Sequence, residues 1–284
     1  MAVNSIFVIG SGIMGNGIAQ VAAQAGYQVW MQDLTPELVG KGLGVISRNL
    51  QKNVDKGKLA VEKMREILGN ITTVTDLEKA GEADMVIEVA TERWAIKEQI
   101  FKELDKRCRP DCIMASNTSS ISITKIGAVT SRPEKVVGTH FFNPVPVMPI
   151  VELIAGLSTA EETMKAVEEM AQRMKKETVR AKDYPAFLLN RMLLPLLNEA
   201  FYCLMEGVGT REDIDKGMRL AMGHPMGPLT LSDFVGLDTL LSVFQVMYEG
   251  YGDPKYFPCP LLVQMVAAGH YGVKSGKGFY DYRK

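Results

Sequence analysis

Histidine and cysteine are scarce in this chain, at three and four residues of 284. The cysteines, Cys108, Cys112, Cys203 and Cys259, contain no CxxC pair and complete no zinc pattern with the histidines. No metal site is expected, and the thiols read as reduced groups of an intracellular protein. An excess of charge is also missing. The net charge is −1, which gives no electrostatic case for nucleic acid or an acidic membrane as partner. No apolar run is long enough to span a bilayer. The first strand pattern begins within a few residues of Met1, so no signal or transit peptide is expected. Internal repeats and low-complexity segments are absent. What is left is a cytoplasmic protein of ordinary globular composition, 46% apolar and 23% charged, long enough for two domains.

Its first recognisable device is a glycine loop. A short apolar strand at residues 6–9 runs into GSGIMG at residues 10–15, and a helix rich in small residues follows at 17–25. Strand, loop and helix in that order are the context a dinucleotide fingerprint needs. Gly10 permits the tight turn, Gly12 lets backbone approach a pyrophosphate, and Gly15 lets helix and strand pack. Ile13 and Met14 complete the loop at the helix start, where open N–H groups and the helix dipole favour an anion. The next strand, residues 27–32, ends at Asp33, 18 residues beyond Gly15. An acid there accepts from ribose hydroxyls and repels a 2′-phosphate, and no arginine follows to neutralise one, so NAD is expected over NADP.

Residues 36–69 are long and polar for a crossover and read as a helical hairpin projecting from the sheet. Arg48, Lys52 and Lys56, four apart, share one stripe, which is either a solvated face or a ridge for a phosphorylated substrate handle. Strands follow at 71–74 and 84–90. Glu92 and Lys97 stand just beyond the second, at the strand ends that face ligand in a doubly wound sheet, although a surface salt bridge explains them equally. The strand at 112–115 ends in SNTSS, residues 116–120, more small polar residues than one helix cap requires. They suit substrate or nicotinamide contacts.

His140 closes a β-like run at 135–140, and Glu152 lies in a second run at 150–154, across a turn built on Asn143, Pro144 and Pro146. A carboxylate beside an imidazole fixes its tautomer, which suits a general base near neutral pH. The bland alternative is a core histidine and a glutamate that never meet. A helix at 160–176 and a short strand at 177–180 close the first domain, residues 1–184. Residues 185–284 read as all-helical, at 187–206 (with a kink at Pro195), 211–222, 229–249 and 261–268. They are rich enough in Leu and Met to suggest a subunit interface. Asn190 sits in the first helical turns. The glycine-rich tail with aromatic anchors, residues 274–281, is expected to tie back onto these helices.

Taken together, GSGIMG at 10–15, SNTSS at 116–120, HFFNP at 140–144, PAFLLNR at 185–191, GHPMGP at 223–228 and SGKGFY at 275–280 resemble the L-3-hydroxyacyl-CoA dehydrogenases. The likeness is strongest to the short bacterial members that act on 3-hydroxybutyryl-CoA, and it covers essentially the whole chain. It implies an α/β fold, a Rossmann-type NAD-binding domain with the projecting hairpin followed by an all-α C-terminal domain. That second domain would line the substrate cleft and form a homodimer or higher oligomer. The implied reaction is NAD-dependent interconversion of (S)-3-hydroxybutyryl-CoA and acetoacetyl-CoA. By the same resemblance His140 and Glu152 are the general base and its partner, and Ser119 and Asn190 contact substrate. Glu92, Lys97, Asn117 and Asn143 fall on the nicotinamide side, while Lys52 and Lys56 would meet CoA phosphates. His224 looks structural, and His270 matches no role. Two other readings compete: a hydroxy-acid or sugar-acid dehydrogenase without CoA on the same scaffold, and a non-catalytic NAD- or acyl-CoA-binding protein.

Overall fold

A computed structural model describes residues 3–283. The chain divides between Asp183 and Tyr184 into two compact units. The first is built on one eight-stranded sheet. Its strands are β1 (Ser5–Ile9), β2 (Gln28–Gln32), β3 (Ile71–Val74), β4 (Met85–Glu88), β5 (Ile113–Ser116), β6 (Val136–Phe141), β7 (Ile150–Ala155) and β8 (Glu177–Lys182). They lie in the order β3-β2-β1-β4-β5-β6-β7-β8. Strands β1, β4, β5 and β6 are near-continuous apolar runs buried along their length, as central strands covered on both faces must be. Every pairing is parallel except β6 with β7, which is antiparallel. The order reverses between β1 and β4, the switch point at which such sheets bind ligand beyond their strand C-termini.

Helix α1 (Ile13–Gln24) follows β1 directly. The hairpin consists of α2 (Pro36–Asp55) and α3 (Val61–Gly69). Thr35 caps α2 through the Leu38 N–H, with Pro36 at the first helical position. Val39, Gly42, Ile46 and Leu50 make its buried stripe, at the spacing one helix face requires. Helix α4 (Trp94–Arg107), the short α5 (Ile123–Gly127) and α6 (Glu161–Arg173) complete the unit. Edge strand β8 is guarded by charge, with Arg180 bridging Glu161 and Glu168 at 2.7 and 2.6 Å.

The second unit is helical: α7 (Leu189–Met205), α8 (Arg211–Ala221), α9 (Pro228–Val235), α10 (Leu237–Tyr251) and α11 (Pro260–Ala267). Leu194, Leu197, Phe201, Leu240, Phe244 and Met247 form its core. Several boundaries differ from expectation, α1 opening at Ile13 and not at residue 17, and two of the differences have a backbone cause. Residues 229–249, read as one helix, are two helices bent by 95°, because Gly236 takes a φ of 102° that no helix accommodates. Residue 187 was expected to open the first helix, but Ala186 and Phe187 hold positive φ values of 65° and 56°, and α7 begins only at Leu189. Among the described residues no single helix is long and apolar enough to cross a membrane; α9 and α10 pass that test only as a bent pair. The tail is tied back as expected. Phe279 stacks on Phe201 at 5.0 Å, and the buried Asp233 accepts from the Phe279 and Tyr280 N–H groups and the Tyr282 hydroxyl. Gly278 is obligatory there, since a Cβ would lie 1.9 Å from the Asp233 carboxylate.

The Thr139 hydroxyl on β6 is buried with no hydrogen-bond partner among the described residues. A hydroxyl buried without a hydrogen bond costs about 1–3 kcal/mol. Thr139→Val, which keeps the shape, should therefore raise the melting temperature or leave it unchanged in a thermal denaturation scan; a clear fall would show that the hydroxyl is bonded after all.

Candidate active site

The glycine loop is tight. Gly10 turns at φ 101° with its N–H on the Gln32 carbonyl. A Cβ on Gly15 would fall 1.8 Å from the Gly10 carbonyl oxygen, so only glycine lets α1 pack against the turn. A Cβ on Gly12 would meet nothing within 4 Å. Gly12 also caps α1 without a side chain, and no acid stands in the first turn. These N–H groups therefore suit a diphosphate. Ile13 is 75% exposed beside them, and Met14 is half-buried. Asp33 accepts from both the N–H and the hydroxyl of Ser11, at 2.8 and 2.7 Å, and from the Leu34 N–H at 2.8 Å. Burial pushes its carboxyl up, but these bonds outweigh that and hold it below the usual range. Ser11, a variable position of the fingerprint, thus presets the acid that would meet ribose. Nothing in the spacing announced it.

The second half of the site is built on β5, β6 and β7. Antiparallel pairing sets His140 directly opposite Glu152, which puts both side chains on one face. His140 Nδ1 lies 2.9 Å from Glu152 Oε2, and His140 Nε2 lies 3.2 Å from the Ser119 hydroxyl. Glu152 is fully buried and His140 is 5% exposed. Because a carboxylate only accepts, Nδ1 carries the proton and Nε2 keeps its lone pair toward Ser119. Phe142 covers the imidazole at 4.5 Å between ring centroids.

Around this line the polar loop is held by acids and amides. Glu92 accepts from the Thr118 hydroxyl at 2.7 Å and the Ser119 N–H at 2.8 Å. Asn117 accepts from the Phe141 N–H at 2.9 Å, tying the loop to β6. Thr118, which sequence reasoning passed over, also accepts from the N–H groups of Ser120 and Ile121; its place inside SNTSS was the available signal. Asn143 is exposed in the loop after β6. Asn190 is half-buried in the first turn of α7. Arg48, Lys52 and Lys56 are exposed along the hairpin.

For Lys97 the alternative reading, a surface salt bridge, does not hold. Lys97 forms no surface pair with Glu92. Its ammonium is buried, 2% exposed, against the carboxylate of Glu88, which is fully buried. Ser116 completes the group, its hydroxyl donating to Glu88 at 2.8 Å and accepting from Lys97 at 3.3 Å. Helical periodicity turns Lys97 inward from α4 because the isolated charge at the end of β4 needs a counter-ion. The ammonium thereby fastens the ends of β4 and β5 together.

Residues 5–184 match the family "3-hydroxyacyl-CoA dehydrogenase, NAD binding domain", and residues 187–282 match "3-hydroxyacyl-CoA dehydrogenase, C-terminal domain". The chain is 50% identical to the probable 3-hydroxybutyryl-CoA dehydrogenase of Bacillus subtilis, over 100% of this chain and 99% of that one. It is 48% identical to the 3-hydroxybutyryl-CoA dehydrogenase of Bradyrhizobium diazoefficiens, over 99% and 96%. Among solved structures, the (S)-3-hydroxybutyryl-CoA dehydrogenase of Ralstonia eutropha superposes with a TM-score of 0.97 at 45% identity, covering 100% of both chains.

The buried triad can be tested by itself. Lys97→Met leaves the Glu88 carboxylate without its cation and should lower unfolding free energy by about 3–5 kcal/mol in urea titration. Adding Glu88→Gln should recover part of that loss; a single variant as stable as the parent would show that the pair contributes nothing.

Proposed function

The chain belongs to the 3-hydroxyacyl-CoA dehydrogenase family, and from that premise we propose that it interconverts (S)-3-hydroxybutyryl-CoA and acetoacetyl-CoA with NAD as cofactor. The observation that carries the reading is the line Ser119–His140–Glu152, at 3.2 and 2.9 Å. It stands at the strand ends of the sheet whose switch point holds the glycine loop. A protein that only bound the cofactor would have no need of a buried carboxylate orienting an imidazole.

When bound, NAD accepts or supplies the hydride. Every other task falls to side chains. In oxidation, His140 Nε2 removes the proton of the C3 hydroxyl, and Glu152 stabilises the imidazolium that results. In reduction, the imidazolium returns that proton to the C3 oxygen. Ser119, fixed by Glu92 through its N–H, donates its hydroxyl to the substrate oxygen, and the family resemblance assigns Asn190 a substrate contact through its amide. Asn117 and Asn143 frame the nicotinamide side, with Glu92 and Lys97 behind them. Gly10, Gly12, Ile13, Met14 and Gly15 take the diphosphate. Asp33 accepts from the ribose and disfavours a 2′-phosphate. The exposed stripe of Lys52 and Lys56 holds the CoA phosphates as point charges.

A cytoplasmic location accords with the four free cysteines. Self-association through the second unit is supported by its exposed apolar side chains, among them Met192, Val208, Leu220 and Met222 at 69, 73, 74 and 67%. Sedimentation equilibrium should return a dimer or higher species; a monomer at micromolar concentration removes that part of the reading.

The deciding assay follows NADH loss with acetoacetyl-CoA, beside NADPH and beside acetoacetate. Rapid oxidation of NADH with the thioester alone is the expected result; turnover of the free acid would instead favour a dehydrogenase without CoA. His140→Ala should cut kcat by about 10²–10⁴-fold, the range of a lost general acid–base, with NADH affinity nearly intact. Near-normal turnover would end its assignment. In the same assay, Lys52→Glu with Lys56→Glu should raise KM for the thioester and leave KM for NADH unchanged.

A further inference from the structure

Lys176, just before β8, is 6% exposed. Its ammonium donates to two backbone carbonyls, Val145 at 2.7 Å and Met148 at 2.6 Å. Both belong to residues 142–149, the loop that leaves β6 two residues after His140 and carries Asn143. Among the described residues Lys176 makes no ion pair, so this charge is buried on neutral acceptors alone. Burial accordingly pulls the ammonium below its ordinary range. A buried charge without a counter-ion is costly; a neutral side chain would close the same strand end at less cost if packing were the only need.

The loop is gripped from a second direction. Val145 is 2% exposed and packs on α1 so closely that a Cβ on Gly17 would come within 2.8 Å of its Cβ. Helix α1 is the one that carries the glycine loop at its N-terminus. The loop thus touches the dinucleotide helix through one side chain, while its backbone is held by the Lys176 ammonium and, at its far end, by the Glu177 N–H on the Pro149 carbonyl at 2.7 Å. Between these fixed points lie the exposed Pro146 and Val147. The N–H groups of Val147 and Met148 both turn back onto the Pro144 carbonyl, at 2.9 and 3.0 Å. The chain therefore folds over the ammonium, and Asn143 stands at the near end of that fold.

We propose that Lys176 is a positioning residue for the reaction: by fastening the 142–149 loop at two carbonyls, its ammonium sets Asn143 and the end of β6 against the dinucleotide-binding helix. This rests on the reading of the site given above. Lys176 touches neither substrate nor cofactor. It acts through the loop, and its effect falls on the cofactor side, because the loop's second contact is α1.

The test compares Lys176→Met with Lys176→Gln, side chains of similar length that differ in having N–H donors. In steady-state assays with NADH and acetoacetyl-CoA, well below the melting temperature, the methionine variant should raise KM for NADH about tenfold while KM for the thioester moves less than about twofold. The glutamine variant should recover most of the loss. Fluorescence titration of NADH, which needs no turnover, should show the same weakening, so it tests the proposal even if the wild-type chain fails to reduce the thioester. Should the methionine variant not fold, Val145→Ala loosens the loop from its other side and should give the same one-sided rise in KM and Kd for NADH, smaller in size. Unchanged NADH affinity in folded Lys176→Met, or in Val145→Ala, would overturn the proposal. So would equal losses in both KM values.

Discussion

The constraint on which the rest depends is the reversal of one strand. In an otherwise parallel sheet, β7 runs antiparallel to β6. The eight residues between Phe141 and Ile150 are too few for a parallel crossover, which needs a dozen or more. A tight reversal is the only connection they allow, and it places His140 opposite Glu152 on one face. Glu152 is fully buried, and a buried carboxylate without donors is unstable, so the imidazole is held by necessity as well as by register.

Around that pair, loops that would otherwise be mobile are fixed by carboxylates accepting several donors at once. Asp33 binds Ser11 and Leu34. Glu92 binds Thr118 and Ser119. Asp183 binds the Ser122 hydroxyl and the N–H groups of Ile123 and Thr124 at the start of α5. In the helical unit Asp215 and Asp233 use the same device, Asp215 on Leu229 and Thr230 and Asp233 on the tail. Charge-assisted bonds to backbone are strong enough to order short irregular segments. The strand ends of this protein are therefore organised by acids that do no chemistry themselves. The cations play the matching part, Lys97 beneath the strand ends and Lys176 beneath the loop after β6.

Much of this could be read without coordinates. Periodicity and the glycine spacing determined the αβ alternation, the dinucleotide loop, the hairpin at 36–69 and the helical second half, because each is a local signal carried within one turn or one strand. The polar run at 116–120 and the residues His140 and Glu152 were also visible as candidates. Only the tertiary structure decided which of them meet. The 2.9 Å contact between His140 and Glu152 depends on a strand reversal, Lys97 chose Glu88 over Glu92 because of burial, and Lys176 finds its carbonyls only when β8 pairs with β7. The break at Gly236 and the left-handed turn at Ala186 and Phe187 were missed for the same reason. Composition fixes what a segment prefers on its own, whereas the partners of a buried charge, and the backbone a tight contact imposes, exist only once distant strands have closed together.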